Sequence, residues 1–442
     1  MESKLIKIET YGMKNLKEKI CIEFSNGAFR KNSANVQKIK AIYGMNGAGK
    51  SAIMNSIDLY KKLLSEKDYI LSNKKSLLSF INMELKKFYF KTYFLFYNQE
   101  ENKKIYYTHE IELETNDDDI YISREKMSTI NRYNNEEKLV VYDIKNGELF
   151  CDETEKINKI LKDKTINLLL NNTLIQCLYT LPILKTVEEY IKTLDKNIKL
   201  ADNNILIAII GLAKLEKNID VYLEADDNLE NRNLDLDKLF KILSITQDSL
   251  GDDFKVSSTT EIVAKSQLSN YIKKMKKLEK FIKIFKPQLK QIIVEKKEDK
   301  NLIHCSKKFD YGDYKIDSEY ESTGIKRLMK MFNYLDQAIG GKYVFIDEMD
   351  ANINGVFLEK ILDFFIEYGK GTLCFTTHNM EPMKIMRTIS KSLLFLGETG
   401  KLVSWNKNGN YSPLNCYKEG MIEDSPFNIE NYDFLKIFDV GE

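Results

Sequence analysis

The sequence is poor in the residues that announce a metal or redox centre. Its three histidines, His109, His304 and His378, are too few and too scattered for an obvious metal site. Six cysteines, Cys21, Cys151, Cys177, Cys305, Cys374 and Cys416, lie far apart, and none forms a C-x-x-C pair. That spacing speaks against a zinc or dithiol motif and reads as reduced thiols, several of them buried, in a cytoplasmic protein. An excess of charge of one sign is also missing. Lys and Arg number 67 against 66 Asp and Glu, a net charge of +1, so no global field draws the chain onto nucleic acid or membrane. Long apolar runs are absent: the longest, Ile205 to Ala213, is too short to span a bilayer. The opening residues, Met1-Glu2-Ser3-Lys4, lead straight into a strand-like segment and lack a signal peptide's apolar core. A cytoplasmic location with no membrane partner is therefore expected.

What is present fits a soluble globular protein. The 442 residues are 43% hydrophobic and 30% charged, enough for a large core and two or three structural units. The abundance of Lys, Asn and Ile reads as genome bias rather than function.

One stretch organises the chain: Ala41-Ile42-Tyr43-Gly44-Met45-Asn46-Gly47-Ala48-Gly49-Lys50-Ser51. An apolar strand, a glycine-rich turn and a helix follow one another, with the spacing G-x-x-x-x-G-K-S of a phosphate-binding loop. The glycines let the backbone turn tightly, so that N–H groups face phosphate oxygens, and the helix adds its N-terminal dipole. Lys50 would reach the β- and γ-phosphates, and the Ser51 hydroxyl would ligate Mg²⁺. The plain alternative, a chance glycine turn, does not explain a strand before the loop together with Ile53, Ile57, Tyr60 and Leu64 at helical spacing after it.

Alternation predicts strands over 5–9 and 20–24 and an aromatic pair over 88–96 and 105–113, with His109 on the exposed face of the latter. Residues 155–290 change to recurrences of three and four, as in Tyr271, Met275, Leu278, Ile282 and Phe285, and read as a compact helical insert with a polar loop near 226–237. Eight lysines fall between Tyr271 and Lys290. A solvated helix face is the favoured reading, and a nucleic-acid or acidic-partner surface the alternative. Short strands are expected over 302–304 and 314–316. Helices over 324–338, 356–367 and 380–389 then alternate with strands over 342–346, 372–376 and 393–397, which argues for parallel βαβ units.

Three further motifs lie in this second half. Tyr343-Val344-Phe345-Ile346-Asp347-Glu348 is a buried strand ending in two carboxylates. Asp347 would hold Mg²⁺ through water, and Glu348 would act as general base on the attacking water or orient it. Glu321-Ser322-Thr323-Gly324-Ile325-Lys326-Arg327-Leu328 starts a helix whose Ser322 hydroxyl and Gly324 N–H suit a phosphate, although alone it would be a plain N-cap. Thr376-Thr377-His378 ends another apolar strand, where an imidazole can contact a γ-phosphate.

In this order the four motifs resemble the ABC-type ATPase heads of the SMC and RecF group. Within that group they look most like the compact stand-alone AAA/ABC-type ATPases of bacterial defence systems. Gly44-x-Asn46-Gly47-x-Gly49-Lys50-Ser51 matches the Walker A form, and Glu321-Ser322-Thr323-Gly324-x-Lys326-Arg327-Leu328 the class signature. Asp347-Glu348-Met349-Asp350 matches Walker B and the D-loop, and Thr377-His378 the switch histidine. The resemblance covers roughly residues 1–60 and 290–400. Ile353-Asn354-Gly355 stands where the class often has Leu-His-Pro, and Gln176 is the candidate Q-loop residue.

The resemblance implies an α/β fold: a P-loop ATPase head of ABC type with a mixed sheet lobe and a helical insert. Its halves would be 1–154 and 291–400, with the insert at 155–290 and an extension at 401–442. The implied cofactors are ATP and Mg²⁺. The implied mechanism sandwiches two ATP molecules between two copies, with each signature, Ser322, Gly324 and Lys326, facing the other copy's loop. Asp350 and His378 complete the site. The implied biology is a switch in phage defence or a toxin–antitoxin-like system, with a separately encoded nuclease or toxin as effector. Only about 60 residues follow His378, too few for a TOPRIM nuclease of its own. Phe434, Ile437 and Phe438 are instead suited to docking on a core or a partner. A RecF-like ATPase binding DNA in repair or chromosome maintenance is the second reading. A transporter subunit is disfavoured by the strand-rich N-terminal lobe and by an insert placed before the signature.

Overall fold

Alternating apolar and polar residues in the first third of the chain build an antiparallel sheet, and continuously apolar strands build a parallel one. The computed structural model describes residues 2–25, 37–98, 103–116, 118–131, 136–152, 165–179, 205–223, 256–299, 302–351, 353–405 and 411–423.

The antiparallel sheet contains β1 (Glu2–Tyr11), β2 (Ile20–Glu23), β4 (Lys87–Asn98), β5 (Lys103–Thr115), β6 (Ile120–Ile130), β7 (Glu137–Lys145) and β8 (Glu148–Phe150), in the order β2-β1-β4-β5-β6-β7-β8. The central sheet contains β3 (Ile39–Gly44), β9 (Ile219–Tyr222), β14 (Tyr343–Ile346), β15 (Thr372–Thr376), β16 (Leu393–Leu396) and β17 (Leu402–Ser404). Its order is β17-β16-β3-β15-β14-β9, and every pairing is parallel except β16 with β17. A smaller sheet joins β10 (Glu261–Ala264), β11 (Gln291–Asp299), β12 (Leu302–Asp310) and β13 (Lys315–Asp317). The α/β class and the parallel pairing of β14 with β15 in the second half thus match expectation. The strands expected at 302–304 and 314–316 prove to be the nine-residue β12 and the short β13, and the helix expected at 380–389 covers only Pro382–Met386.

Helix Lys50–Ser65 lies between the two larger sheets, and a single apolar cluster spans all three layers. Parity on β4 and β5 turns Phe88, Phe90, Phe94, Tyr107, Ile111 and Leu113 toward this helix, all buried. His109 shares that parity and is 0% exposed, which corrects the expectation that it lies on the open face. Both ring nitrogens have partners: Nδ1 bonds the Tyr60 hydroxyl at 2.8 Å, and Nε2 meets Glu125 Oε1 at 3.0 Å. The Tyr142 hydroxyl donates to the same Glu125 oxygen at 2.8 Å, and the Leu174 N–H donates to the other at 2.8 Å. A buried polar residue is tolerated here because its network is closed.

The described part of residues 155–290, expected to be a helical insert, is not wholly helical. Helices Thr165–Asn171, Leu174–Tyr179, Ile205–Lys217 and Leu268–Phe285 are present, but β9 is an edge strand of the central sheet and β10 pairs with β12. Helix Ile205–Lys217 is apolar on nearly all sides because it is packed into the first core, with Ser3 Oγ donating to the Gly211 carbonyl at 2.7 Å. Four-residue β9 is too short to break the helical periodicity before it. Asp220 on β9 is clamped by Lys61 at 2.6 Å and Lys342 at 3.2 Å. The polar loop expected near 226–237 lies outside the described residues. On helix Leu268–Phe285, Tyr271, Met275, Leu278 and Ile282 are buried while Lys273, Lys276, Lys277 and Lys280 are exposed, as both readings of the lysine face require.

Lys40 on β3 is buried, and its ammonium donates to the Lys391 carbonyl at 2.7 Å. Burial pushes its pKa down to about 8. Above pH 10.5 both folded and unfolded states carry the neutral amine. As pH falls from there to about 8, only the unfolded chain takes up the proton, so stability drops, and below about 8 the penalty is constant. Lys40→Met should therefore stabilise the fold at pH 7, by roughly 2 kcal/mol after loss of one hydrogen bond. Paired urea melts should show that gain vanishing above pH 10.5; an equal gain at both pH values would contradict the burial cost.

Candidate functional site

Parallel pairing brings the ends of β3, β15 and β14 to one edge of the central sheet. β3 runs beside β15 with Ile42 opposite Thr376, and β15 runs beside β14 with Phe375 opposite Ile346. The glycine-rich loop, the Thr376-Thr377-His378 stretch and Asp347-Glu348 are thus consecutive across the sheet. The loop strand and the carboxylate strand stand two strand spacings apart, about 10 Å.

The loop's glycines have separate reasons. A Cβ at Gly44 would stand 2.8 Å from the Leu396 carbonyl oxygen of neighbouring β16. Gly47 and Gly49 have φ of 82° and 110°, left-handed values that L side chains avoid. Gly49 begins helix Lys50–Ser65, so its turn aims the first free N–H groups of the helix back at the loop. Asn46 and Gly47 are exposed, whereas Lys50 is buried beneath the loop and donates to the carbonyls of Gly44 at 2.8 Å and Met45 at 2.9 Å. Asn15, from the turn after β1, donates Nδ2 to the Gly47 carbonyl at 2.6 Å. No motif pointed to Asn15; only the packing of β1 beside the loop reveals it.

Asp347 is buried and accepts from Thr376 Oγ1 at 2.6 Å, while the Glu348 N–H donates to that same hydroxyl oxygen at 2.7 Å. Glu348 has φ of 49°, a left-handed conformation costly for a residue with a side chain. Two bonds hold it there: the one to Thr376 and one from buried Arg327, which donates to the Glu348 carbonyl. Arg327 also donates to the Asp347 carbonyl at 3.3 Å and lies 5.5 Å over the Tyr222 ring. The arginine of the Ser-x-Gly segment thus ties that helix to the carboxylate strand end.

Electrostatics joins the parts. Burial lowers the Lys50 pKa, and Glu348, Asp347 and Asp350 oppose that shift as neighbouring anions. Asp350 accepts from the Asn379 N–H at 3.2 Å through Oδ2; its Oδ1 is buried and has no partner among the described residues. His378 is exposed on the rim. Its pKa lies below the ordinary histidine value through partial burial and then the Lys50 charge, against the pull of Asp350 and Asp347.

No protein-family model matches the chain, and no curated protein is similar enough to it to count as a relative.

The Ser322 segment is built as an N-cap: Ser322 Oγ accepts from the Ile325 N–H at 3.4 Å, ahead of helix Thr323–Gly340. Glu321 beneath it is buried, accepts from the Tyr311 hydroxyl and meets Lys286 at 3.6 Å. Ser322 and Thr323 are exposed, and Gly324 and Lys326 half-buried. Among the described residues no hydrogen bond links Ser322 or Gly324 to the loop of the same chain. Gln176 does not approach the loop: its amide donates to the Leu64 carbonyl near the far end of helix Lys50–Ser65, about 20 Å along the axis from Lys50. Asn354, at the departure from the family pattern, caps helix Gly355–Tyr368 by accepting from the Val356 N–H at 3.0 Å.

The site suits a nucleoside triphosphate with Mg²⁺. The Lys50 cation lies in the field of buried Asp347 and half-buried Glu348 and Asp350, and Asp350 Oδ1 has no hydrogen-bond partner among the described residues. No group of three or more His, Cys, Asp or Glu residues among those described could hold a metal by itself. Mg²⁺ takes only one or two protein ligands besides phosphate and water, and Ser51 and Asp347 are the residues that would hold it.

Proposed function

We propose that the chain is an ATP-hydrolysing ATPase of ABC type, similar to the SMC/RecF group, whose active sites form between two copies of itself. The observation that carries this reading is the Thr376 bridge. One hydroxyl ties Asp347 and Glu348 together, beside the loop whose Lys50 lies in the field of both carboxylates.

In this reading the N–H groups of the loop and of the helix start bind the β- and γ-phosphates, and Lys50 turns from its carbonyls onto them. Ser51 and Asp347 would hold Mg²⁺, which when bound neutralises phosphate charge. Glu348 orients a water and takes its proton as that oxygen attacks the γ-phosphorus, and ADP leaves with the cleaved bond's electrons. His378 offers a ring N–H to the γ-phosphate. Ser322, exposed, and Gly324, half-buried, have no hydrogen bond to their own loop among the described residues, and reach the γ-phosphate held by the partner copy. ATP then controls association, since that contact exists only while the γ-phosphate is present.

The proposed setting is a switch in phage defence or a toxin–antitoxin-like system acting through a separate effector, and it rests on the resemblance. Pull-down with ATP from the native host tests it: a toxin or nuclease partner supports it, and repair factors with DNA support the RecF-like alternative. For the enzyme itself, the test is release of phosphate from ATP with Mg²⁺. Activity that vanishes with chelator and with Lys50→Ala supports the reading, and turnover that Lys50→Ala leaves untouched contradicts it. Asn15→Ala is expected to weaken ATP binding about 5- to 10-fold, near 1 kcal/mol for one lost hydrogen bond, with kcat nearly unchanged. A fall in kcat at constant KM would instead place Asn15 in the chemical step.

A further inference from the structure

Away from this site the molecule carries an apolar groove of about 390 Å³. Helices Leu268–Phe285, Thr323–Gly340 and Gly355–Tyr368 form its walls, and Phe281, Phe332 and Phe365 line its interior. Ile284 and Phe364 at its lip are 61% and 49% exposed. Lys280 and Lys360 stand on the rim, and neither forms an ion pair with another described residue. The one acid of the lining, Asp336, is matched by Lys277 at 3.7 Å. The groove therefore asks for an apolar segment with acidic flanks. Covering large apolar side chains contributes roughly 1.5–3 kcal/mol each when burial is complete.

We propose that the occupant is the chain's own segment 424–442. Phe434, Ile437 and Phe438 stand at i, i+3 and i+4, the spacing of one helical face. Glu430, Asp433 and Asp439 flank them, and Lys436 is the only base in the segment. Both apolar pattern and charge complement the groove. The reach suffices as well. The described chain ends at Glu423, just after Ile422, which packs in the cluster that also holds Leu362 and Phe365 of the groove's helix. Two short helices, Pro382–Met386 and Pro413–Lys418, separate that end from helix Gly355–Tyr368. At 8–10 Å per helix spacing the groove is roughly 20–30 Å away. Residues 424–433 can span about 33 Å when extended.

Hydrogen exchange on the full chain tests this. Phe434→Asp with Ile437→Asp should speed exchange of amides in 280–285 and 357–365 by about tenfold, with β3 and β14 unchanged as the control for folding. Lys280→Glu with Lys360→Glu should do the same, and adding Asp433→Lys with Asp439→Lys should restore the slow exchange. Unchanged exchange in the Phe434→Asp/Ile437→Asp variant would overturn the proposal. So would protection of the unsubstituted chain that disappears on dilution, which would assign the groove to a second copy's segment.

Discussion

Glu348→Gln is expected to cut ATP hydrolysis by about 10²–10⁴-fold, the usual worth of a positioned general base, while leaving ATP binding intact. The amide is nearly isosteric, so the backbone bonds that hold residue 348 at its left-handed φ, from its N–H to Thr376 and from Arg327 to its carbonyl, are kept. Only the acceptor for the water's proton is lost. Because the γ-phosphate then persists, the variant should accumulate as an ATP-bound dimer in sedimentation. A variant that stays monomeric at saturating ATP would count against the composite site, and one that hydrolyses at the parent rate would remove Glu348 from the chemistry.

Lys50→Ala is expected to abolish ATP binding, a loss of about 10²-fold or more in affinity when a buried cation facing phosphate is removed. Two effects act together. The charge that meets the β- and γ-phosphates disappears, and so do the bonds to the adjacent Gly44 and Met45 carbonyls that hold the start of the empty loop. Removing the cation also takes from Asp347, Glu348 and Asp350 a positive charge that they share, so the site becomes more repulsive to a triphosphate. Titration with a fluorescent ATP analogue measures this. Binding within twofold of the parent would show that the loop does not hold phosphate.

Much of the site was legible in the sequence because its determinants are local. Glycine spacing dictates the loop, and an apolar run ending in Asp347-Glu348 dictates a strand end. What the sequence leaves hidden is non-local. Nothing local says that β15 lies between β3 and β14, yet that order is what lets Thr376 bridge Asp347 and Glu348. Asn15 reaches Gly47 across 32 positions of sequence, with no spacing rule to flag it. His109 was misplaced although its parity with Tyr107 and Ile111 carried the answer, because a titratable side chain was assigned to the open face of its strand. Gln176 was assigned from its place along the chain alone, and packing sets it at the other end of the helix. β9 was hidden by the long apolar helix before it.

The composite site is tested most directly by mixing two inactive chains. Lys50→Ala removes phosphate binding at its own loop, and Ser322→Arg, at an exposed helix cap, blocks the approach to the partner's loop without touching its own. Each alone should be inactive. In the mixed dimer one site combines the intact loop of the Ser322→Arg chain with the intact Ser322 segment of the Lys50→Ala chain. Mixing is expected to restore phosphate release, toward a quarter of the parent rate when half the dimers are mixed and each has one working site. No recovery on mixing, or full activity of Ser322→Arg alone, would contradict a site shared between two copies.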